Sequence, residues 1–434
     1  MLPWTNKVHA NITKSGLLGS IAVLMSWTAA AQVISAAAMV ILPRIFAPAD
    51  FGAFSVFSGF AILLAIVAAG RYEFAIGLPR DDSEGSAVFW LCVLLSGIAA
   101  IACASILLLL PASSYPFRRF PGLVVWWPWV AAGGASVAWY TAAAYVALRF
   151  GQFRALGLSK AAIALSTVVG QIFAGLAIGR SSQSLIVPFV IGQAVGVAYL
   201  GLALGRGRIG RPDRALIARV SRQFRHFPQH VAPGSVMEGM SNLLPVTFVA
   251  VALSVTDAGI YAMADRALRM PVTLVGSSIL QVFYKRIAEL RGDRVACREL
   301  LRSTWRNLAY IAILPCISIV FLGQEVFALV LGETWRPSGL IAQTLIVWMF
   351  FQFVSYPTSN VFVVNDRTGS FLLWQAVQLV AVIAALGGAH YWAAGSLLAM
   401  VTAMVVGQTL VCLFSMWLQW RVLTSAPGKE GIEP

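Results

Sequence analysis

The sequence predicts an all-α integral membrane protein of about twelve transmembrane helices in two similar halves, and three observations carry that prediction. The 434 residues are 59% hydrophobic and 11% charged, with a mean hydropathy of +0.80, whereas soluble domains carry about 25% charged residues. About twelve apolar runs are long enough to cross a hydrocarbon core of about 30 Å, which takes about 20 residues per helix. A short element, Asp50-Phe51-Gly52-Ala53-Phe54-Ser55, returns as Asp257-Ala258-Gly259-Ile260-Tyr261-Ala262, the mark of a tandem duplication.

The runs lie near residues 17–43, 51–76, 86–110, 123–147, 160–179, 184–205, 231–254, 258–283, 307–331, 338–363, 370–391 and 393–420. None alternates like a membrane β-strand, so the fold is a helical bundle. The first run follows Lys7 and Lys14 and contains Ala29-Ala30-Ala31, as a signal peptide would, but it continues to Leu42 and is read as the first span. Residues 1–205 form an N-terminal six-helix bundle and 231–421 a C-terminal one, with a basic linker at 206–230 and a tail at 422–434.

Orientation follows from the basic residues. With a cytoplasmic N-terminus, the inner segments hold Lys7, Lys14, Arg71, Arg80, Arg149, Arg154, Lys160, Arg367, Arg421 and Lys429, seven Arg between 206 and 225, and seven Lys or Arg between 285 and 306. The outer segments hold only Arg44, Arg118, Arg119, Arg180 and Arg336, while Arg266 and Arg269 fall inside the eighth run. Twenty-four of 31 basic residues inside against five outside predict that both termini are cytoplasmic. The net charge of +14 is therefore a topology and lipid-surface signal; nucleic acid is not expected as a partner. Trp126, Trp127 and Trp129 mark an aromatic belt at the outer start of the fourth span.

Asp50 opens the second span and Asp257 the eighth, both from outside, so the halves share one orientation. A parallel repeat of this kind predicts a pseudo-two-fold axis along the membrane normal. Within the repeated element, Asp50 and Asp257 are read as N-caps and Gly52 and Gly259 as close-packing positions. In the linker, Leu216, Val220, Phe224 and Phe227 opposite Arg214, Arg219, Arg222 and Arg225 suggest an amphipathic helix lying on anionic lipid. Lys285 to Arg306 reads as a second such segment, with Ile287, Leu290, Leu301 and Trp305 as its apolar side.

Enzyme signatures are weak. Gly205-Arg206-Gly207-Arg208-Ile209-Gly210 fits G-x-G-x-x-G but follows a membrane helix rather than a strand. No Walker A sequence occurs, and Asp81-Asp82-Ser83-Glu84 reads as a solvated turn rather than a metal site. Cys92, Cys103, Cys297, Cys316 and Cys412 have no paired spacing, and His9, His226, His230 and His390 do not cluster, so neither metal nor disulfide is expected.

What remains is charge inside lipid, a functional signal by default. Tyr261, Asp265, Arg269, Thr273 and Ser277 recur at four-residue spacing along one face of the eighth span. Asp265 can pair with Arg269 at i,i+4, which leaves Arg266 over. The seventh span adds Glu238 and Asn242, and the second ends with Arg71 and Glu73. Weaker polar stripes are Thr28, Gln32 and Ser35 in the first span and Gln352, Ser355 and Ser359 in the tenth. The two copies of the repeat differ here: after Asp50 the helix stays apolar down to Arg71, whereas after Asp257 it acquires three charges within a dozen residues.

Gly70-Arg71-Tyr72-Glu73-Phe74-Ala75-Ile76 with Leu78-Pro79 resembles the end of the second helix in bacterial polysaccharide exporters of the Wzx flippase type, in the multidrug/oligosaccharidyl-lipid/polysaccharide exporter superfamily. So does the block running from Phe227-Pro228 to Pro233, then Leu244-Pro245, Gly259-Ile260-Tyr261-Ala262, Arg266, Pro271, Gly276-Ser277 and Gln281-Val282-Phe283-Tyr284. The resemblance implies a MATE-like arrangement, two six-helix bundles around a V-shaped cavity that alternates between faces. It implies a transporter and not an enzyme, located in the bacterial inner membrane. Its cargo would be an oligosaccharide on undecaprenyl pyrophosphate for O-antigen of lipopolysaccharide, capsule or exopolysaccharide, and its partners a polysaccharide polymerase and chain-length regulator.

For that cargo, Arg266, Arg269 and Arg71 are candidates for the pyrophosphate, because guanidinium forks match phosphate oxygens. Asn242, Tyr261 and Gln32 are candidates for sugar contacts. Glu238, Asp265 and Glu73 are candidates for coupling to H+ or Na+, with no other cofactor implied. A multidrug or cation antiporter of the same superfamily would favour acidic sites, which two deep Arg oppose. A major-facilitator transporter would carry a basic Gly-Asp-Arg-Gly loop after its second span, and this chain has none. A membrane polymerase or ligase would carry a large external loop, yet the longest here is about residues 111 to 122.

Overall fold

The computed structural model describes residues 14–109, 123–205, 209–210, 213–290, 293–359, 361, 368–392 and 395–424. Outside these lie Lys7, Arg118, Arg119, Arg206, Arg208, Arg211, Arg291, Arg367 and Lys429, the external loop at 111–122 and most of the tail; the side chains of Trp126, Trp127 and Ser277 are likewise not described.

Among the described residues the chain forms twelve long α-helices and one short one. They are α1 (Lys14–Ile41), α2 (Pro48–Ala69), α3 (Asp82–Leu109), α4 (Leu123–Arg149), α5 (Phe153–Phe173), α6 (Ser182–Leu204), the short α7 (Arg214–Gln223), α8 (Ala232–Ala252), α9 (Val255–Glu289), α10 (Arg294–Leu331), α11 (Arg336–Ser355), α12 (Thr368–Trp392) and α13 (Leu397–Thr424). Ten of them are apolar and long enough to cross a membrane by composition alone. The other two long helices are α4, diluted by Gly, Trp and Tyr, and α9, which carries Asp257, Asp265, Arg266 and Arg269. The chain is a multi-pass membrane protein.

Two compact units divide it, Met1–Gly239 and Met240–Pro434, with the boundary inside α8. In the first unit, α4 is central: it packs on α2, α3 and α6, while α5 joins α1 to α6. In the second, α11 is central and packs on α9, α10 and α13, while α12 packs on α13. The pairs α2–α4, α3–α4, α4–α6 and α5–α6 thus recur as α9–α11, α10–α11, α11–α13 and α12–α13. The duplication read from six residues extends through the packing of both units.

Both copies of the repeated element open a helix, though Asp50 and Asp257 occupy its third position rather than the N-cap. The residues before them explain the difference. Asp50 accepts a hydrogen bond from the Ala47 amide at 3.1 Å. Asp257 accepts from the Ser254 hydroxyl at 2.6 Å, and that hydroxyl accepts from the Asp257 amide at 3.0 Å. A carboxylate in the first turn answers free amides and the helix dipole from either position. Gly52 and Gly259 are both buried.

Three boundaries depart from expectation. The second apolar run is not one helix to residue 76, because α2 ends at Ala69 and Gly70 and Arg71 turn the backbone left-handed at φ 55° and 61°. The linker helix α7 does not lay its apolar side on lipid. Ile217, Val220, Phe224 and Phe227 are buried in the core of the first unit with Tyr72, Ile76 and Leu91, and Leu216 packs against them. Hydrogen bonds pin the same segment: the Tyr72 hydroxyl donates to the Ser221 carbonyl at 3.0 Å, and Trp90 Nε1 to the Gly210 carbonyl at 2.8 Å. Finally, Lys285–Arg306 is not a separate amphipathic helix but the end of α9 and the start of α10. At 1.5 Å per residue, the 38 residues of α10 span roughly 57 Å, so its first turns project beyond the bilayer. Their buried apolar residues, Cys297 and Leu301, pack with Phe283 and Ile287 at the end of α9 and with Leu423.

Candidate functional site

The charged residues singled out above fall into two groups, one in each unit. In the second unit α9 carries Tyr261, Asp265 and Arg269 along one stripe. Tyr261 is buried and its hydroxyl donates to Met404 Sδ of α13 at 3.7 Å. Arg269 Nε donates to both Asp265 oxygens, at 2.9 and 2.7 Å. The guanidinium also lies over the Trp348 ring of α11, 5.1 Å from its centroid, where cation–π attraction adds to the ion pair. The i,i+4 pairing expected from the spacing is therefore formed, and Arg269 is answered on two sides.

Arg266 is not. Its side chain is exposed, and among the described residues no hydrogen bond or ion pair engages it. Counting Asp265, Arg266 and Arg269, this group of α9 has one positive charge in surplus. Asn242 is exposed on α8.

In the first unit the group is built by the turn after α2. Gly70 closes the helix with its amide on the Val67 carbonyl at 3.2 Å. Among the described residues Arg71 is the one non-glycine with positive φ, a conformation that costs such a residue about 1–3 kcal/mol and persists where its surroundings enforce it. Here they do. Arg71 Nη1 donates to Glu73 Oε1 at 3.1 Å, and its guanidinium sits 5.2 Å from the Phe74 ring centroid. Phe74 in turn meets Tyr145 edge-on at 5.5 Å. Glu73 is 3% exposed, and its Oε2, like Arg71 Nε, is buried without a hydrogen-bond partner among the described residues. Glu238, an exposed carboxylate on α8, lies within the field of Arg71. The structure therefore brings Arg71, Glu73 and Glu238 together, and Gln32 is exposed on α1.

Sequence reasoning missed Trp348, Phe74 and Tyr145 as partners of the two arginines. Phe74 was within reach, three residues from Arg71. The left-handed turn also had a signal, since glycine directly after an apolar run is a helix stop. Trp348 and Tyr145 had none, because their contacts cross between helices.

The acidic turn is structural. Asp82 pairs with Arg149 at 2.9 Å, and Arg149 also donates to the carbonyls of Ile76, Pro79 and Asp81. Two hydrogen bonds from Ser83 hold the Asp81 carboxyl below its ordinary range. Among the described residues no group of three or more His, Cys, Asp or Glu is placed to hold a metal. All five cysteines are unpaired thiols.

A family model described as polysaccharide biosynthesis protein matches residues 41–339. No curated protein matches the sequence. Among solved structures, the chain is similar to the lipid II flippase MurJ in an inward closed conformation, with a TM-score of 0.70, 11% identity, and 91% of this chain and 87% of that one covered. It is similar to the inward-facing form of a multidrug resistance MATE family transporter of the MOP superfamily, with a TM-score of 0.66, 14% identity, and coverage of 94% and 96%. A MOP superfamily transporter from Pyrococcus furiosus, described as having a binding pocket of reversed polarity, follows with a TM-score of 0.55, 12% identity, and coverage of 94% and 95%. These likenesses establish the fold as the MATE-like, all-helical architecture of that superfamily.

Proposed function

The chain belongs to the polysaccharide biosynthesis protein family, and from that premise we propose that it is a flippase for undecaprenyl-pyrophosphate-linked oligosaccharide. It would move repeat units from the cytoplasmic to the periplasmic leaflet of the bacterial inner membrane by alternating access, for O-antigen, capsule or exopolysaccharide synthesis. A polysaccharide polymerase and its chain-length regulator would receive the product.

The observation that supports this reading best is Arg266. A charged residue at the centre of a membrane helix costs about 2.5–3.5 kcal/mol even on the mildest scales. Arg269 recovers that cost through Asp265 and Trp348. Among the described residues Arg266 has no such partner, and an anionic ligand supplies one. A lipid pyrophosphate fits, because its oxygens accept the paired N–H groups of a guanidinium in a bidentate manner. A cargo that must be synthesised on one side of a membrane and polymerised on the other also explains why a polysaccharide biosynthesis protein has the fold of a transporter. The exposed arginines of α7 would meet anionic lipid headgroups at the cytoplasmic surface.

Deletion of the gene tests the reading. The expected result is undecaprenyl-linked single repeat units trapped on the cytoplasmic leaflet; exported but unpolymerised units would refute it. Complementation with Arg266→Ala should fail at normal membrane abundance, and Arg266→Lys, which keeps the charge but not the fork, should restore part of the transport. A fully active Arg266→Ala protein would remove the pyrophosphate assignment.

A further inference from the structure

We propose, on the basis of the flippase reading above, that the Arg71–Glu73 turn of the first unit is a subsite for the hydroxyl groups of the cargo's glycan and not for its pyrophosphate. The sign of the charge comes first. Arg71 is neutralised by Glu73 at 3.1 Å, and Glu238 lies in its field. Whether Glu238 is ionised or not, no positive charge is left over. A pyrophosphate brought to this turn would meet a paired arginine and one or two carboxyl groups, whereas the α9 group keeps the free guanidinium of Arg266. The arginines of the two units are not interchangeable.

The hydrogen-bonding inventory then selects the ligand. Among the described residues, Arg71 Nε is a buried donor without an acceptor and Glu73 Oε2 a buried acceptor without a donor. Each costs about 1–3 kcal/mol when left unsatisfied, and such orphans call for an explanation. The two belong to groups already joined at their other atoms. A bare cation would satisfy the oxygen and repel the guanidinium; a bare anion would do the reverse. A hydroxyl donates and accepts, so it answers both. Phe74 and Tyr145, in edge contact beside the turn, add the aromatic surface on which sugar C–H groups pack. Arg71 holds its strained φ of 61° in this closed arrangement, in which both orphan atoms are shielded, so the sugar would enter as the turn relaxes during the transport cycle.

The test compares two lipids on purified full-length protein. One is the undecaprenyl-pyrophosphate-linked oligosaccharide extracted from cells deleted for this gene; the other is undecaprenyl pyrophosphate alone. Glu73→Gln keeps the shape of the side chain, and Arg71→Asn keeps a residue that tolerates the left-handed region. Both should weaken the glycan-bearing lipid by roughly 10- to 100-fold, as for loss of a hydrogen bond to a charged group, and leave the bare lipid unchanged. Arg266→Ala should weaken both lipids. Thermal melting of each variant separates loss of binding from loss of fold, and for a variant that fails to fold, Glu73→Asp and Arg71→Lys are the substitutes. Loss of the bare lipid on Arg71→Asn would overturn the proposal by returning Arg71 to the phosphate, and so would unchanged binding of both lipids by Glu73→Gln, which would leave only water at the turn. If wild-type protein binds neither lipid, the flippase reading fails with it.

Discussion

A guanidinium inside a bilayer persists where its charge is answered, and α9 shows both ways this chain treats one. Arg269 has a carboxylate and an indole; among the described residues Arg266 has neither. The Asp265–Arg269 pair is partly exposed, with 20% and 28% of the side chains accessible, so it contributes less than a fully buried pair, but removing one partner still strands the other. Asp265→Ala should therefore destabilise the solubilised protein by about 1–3 kcal/mol, and the double variant Asp265→Ala/Arg269→Met by less. Thermal unfolding of the single and double variants measures this, and a double variant that melts lower than Asp265→Ala would show that the pair contributes more than mutual neutralisation. This pair is legible in the sequence because i,i+4 spacing on a helix fixes the neighbours locally. The Trp348 contact is not, since 79 residues of chain separate it from Arg269 and only the packing of α9 on α11 unites them. Arg71 falls between: its charge and position are readable, but its conformation is set by Glu73, Phe74 and the docked Tyr72.

At the scale of elements, the helices are legible and their contacts are not. Length and hydropathy find all twelve long helices, because each crossing spans the same slab of hydrocarbon, but not all of their ends: α2 stops at Ala69 rather than residue 76, and α10 starts at Arg294 rather than residue 307. How closely they approach depends on single small residues. Gly339 on α11 is the clearest case: a Cβ there would lie 2.5 Å from the Gln324 Cα and 2.5 Å from the Gly323 carbonyl oxygen of α10. Both are backbone atoms and cannot step aside. Gly339→Ala should force α10 and α11 apart and sharply reduce the amount of folded protein in the membrane. Gly407→Ala on α13 should be tolerated, since its nearest atom would be the Ala385 Cβ at an ordinary 3.5 Å. Immunoblots of membranes with detergent melts distinguish them, and equal abundance of the two variants would contradict the close approach. The linker helix α7 teaches the converse lesson. Its amphipathic pattern is plain in the sequence, but amphipathicity says only that an apolar side needs cover. Here Tyr72, Ile76 and Leu91 of the first unit provide it, not lipid.

For the whole molecule, duplication and charge distribution make a joint claim that neither makes alone. If the halves share one orientation, corresponding loops of the two units must face the same side of the membrane, and the 24 basic residues assigned inside say which side. The turn between α5 and α6, at Ser181, corresponds to the one between α12 and α13, at Ser396; both residues are exposed. Ser83, in the first turn of α3, and Glu289, at the end of α9, lie on the opposite ends of their helices and are exposed too. In a protein stripped of its five native cysteines, single cysteines at 181 and 396 should react with a membrane-impermeant maleimide on intact spheroplasts. Cysteines at 83 and 289 should react only after permeabilisation. The two members of each pair must agree, because a parallel repeat displaces each span by an even number of crossings. Labelling of 181 without 396 would break the parallel repeat. Labelling of 83 and 289 from outside, with 181 and 396 protected, would keep the repeat but invert the molecule. Since a flippase that exports repeat units must collect them where cytoplasmic enzymes assemble them, the inverted result would also set the Arg71 turn, next to the end of α2 that the basic residues assign to the inside, on the wrong side to receive the cargo first.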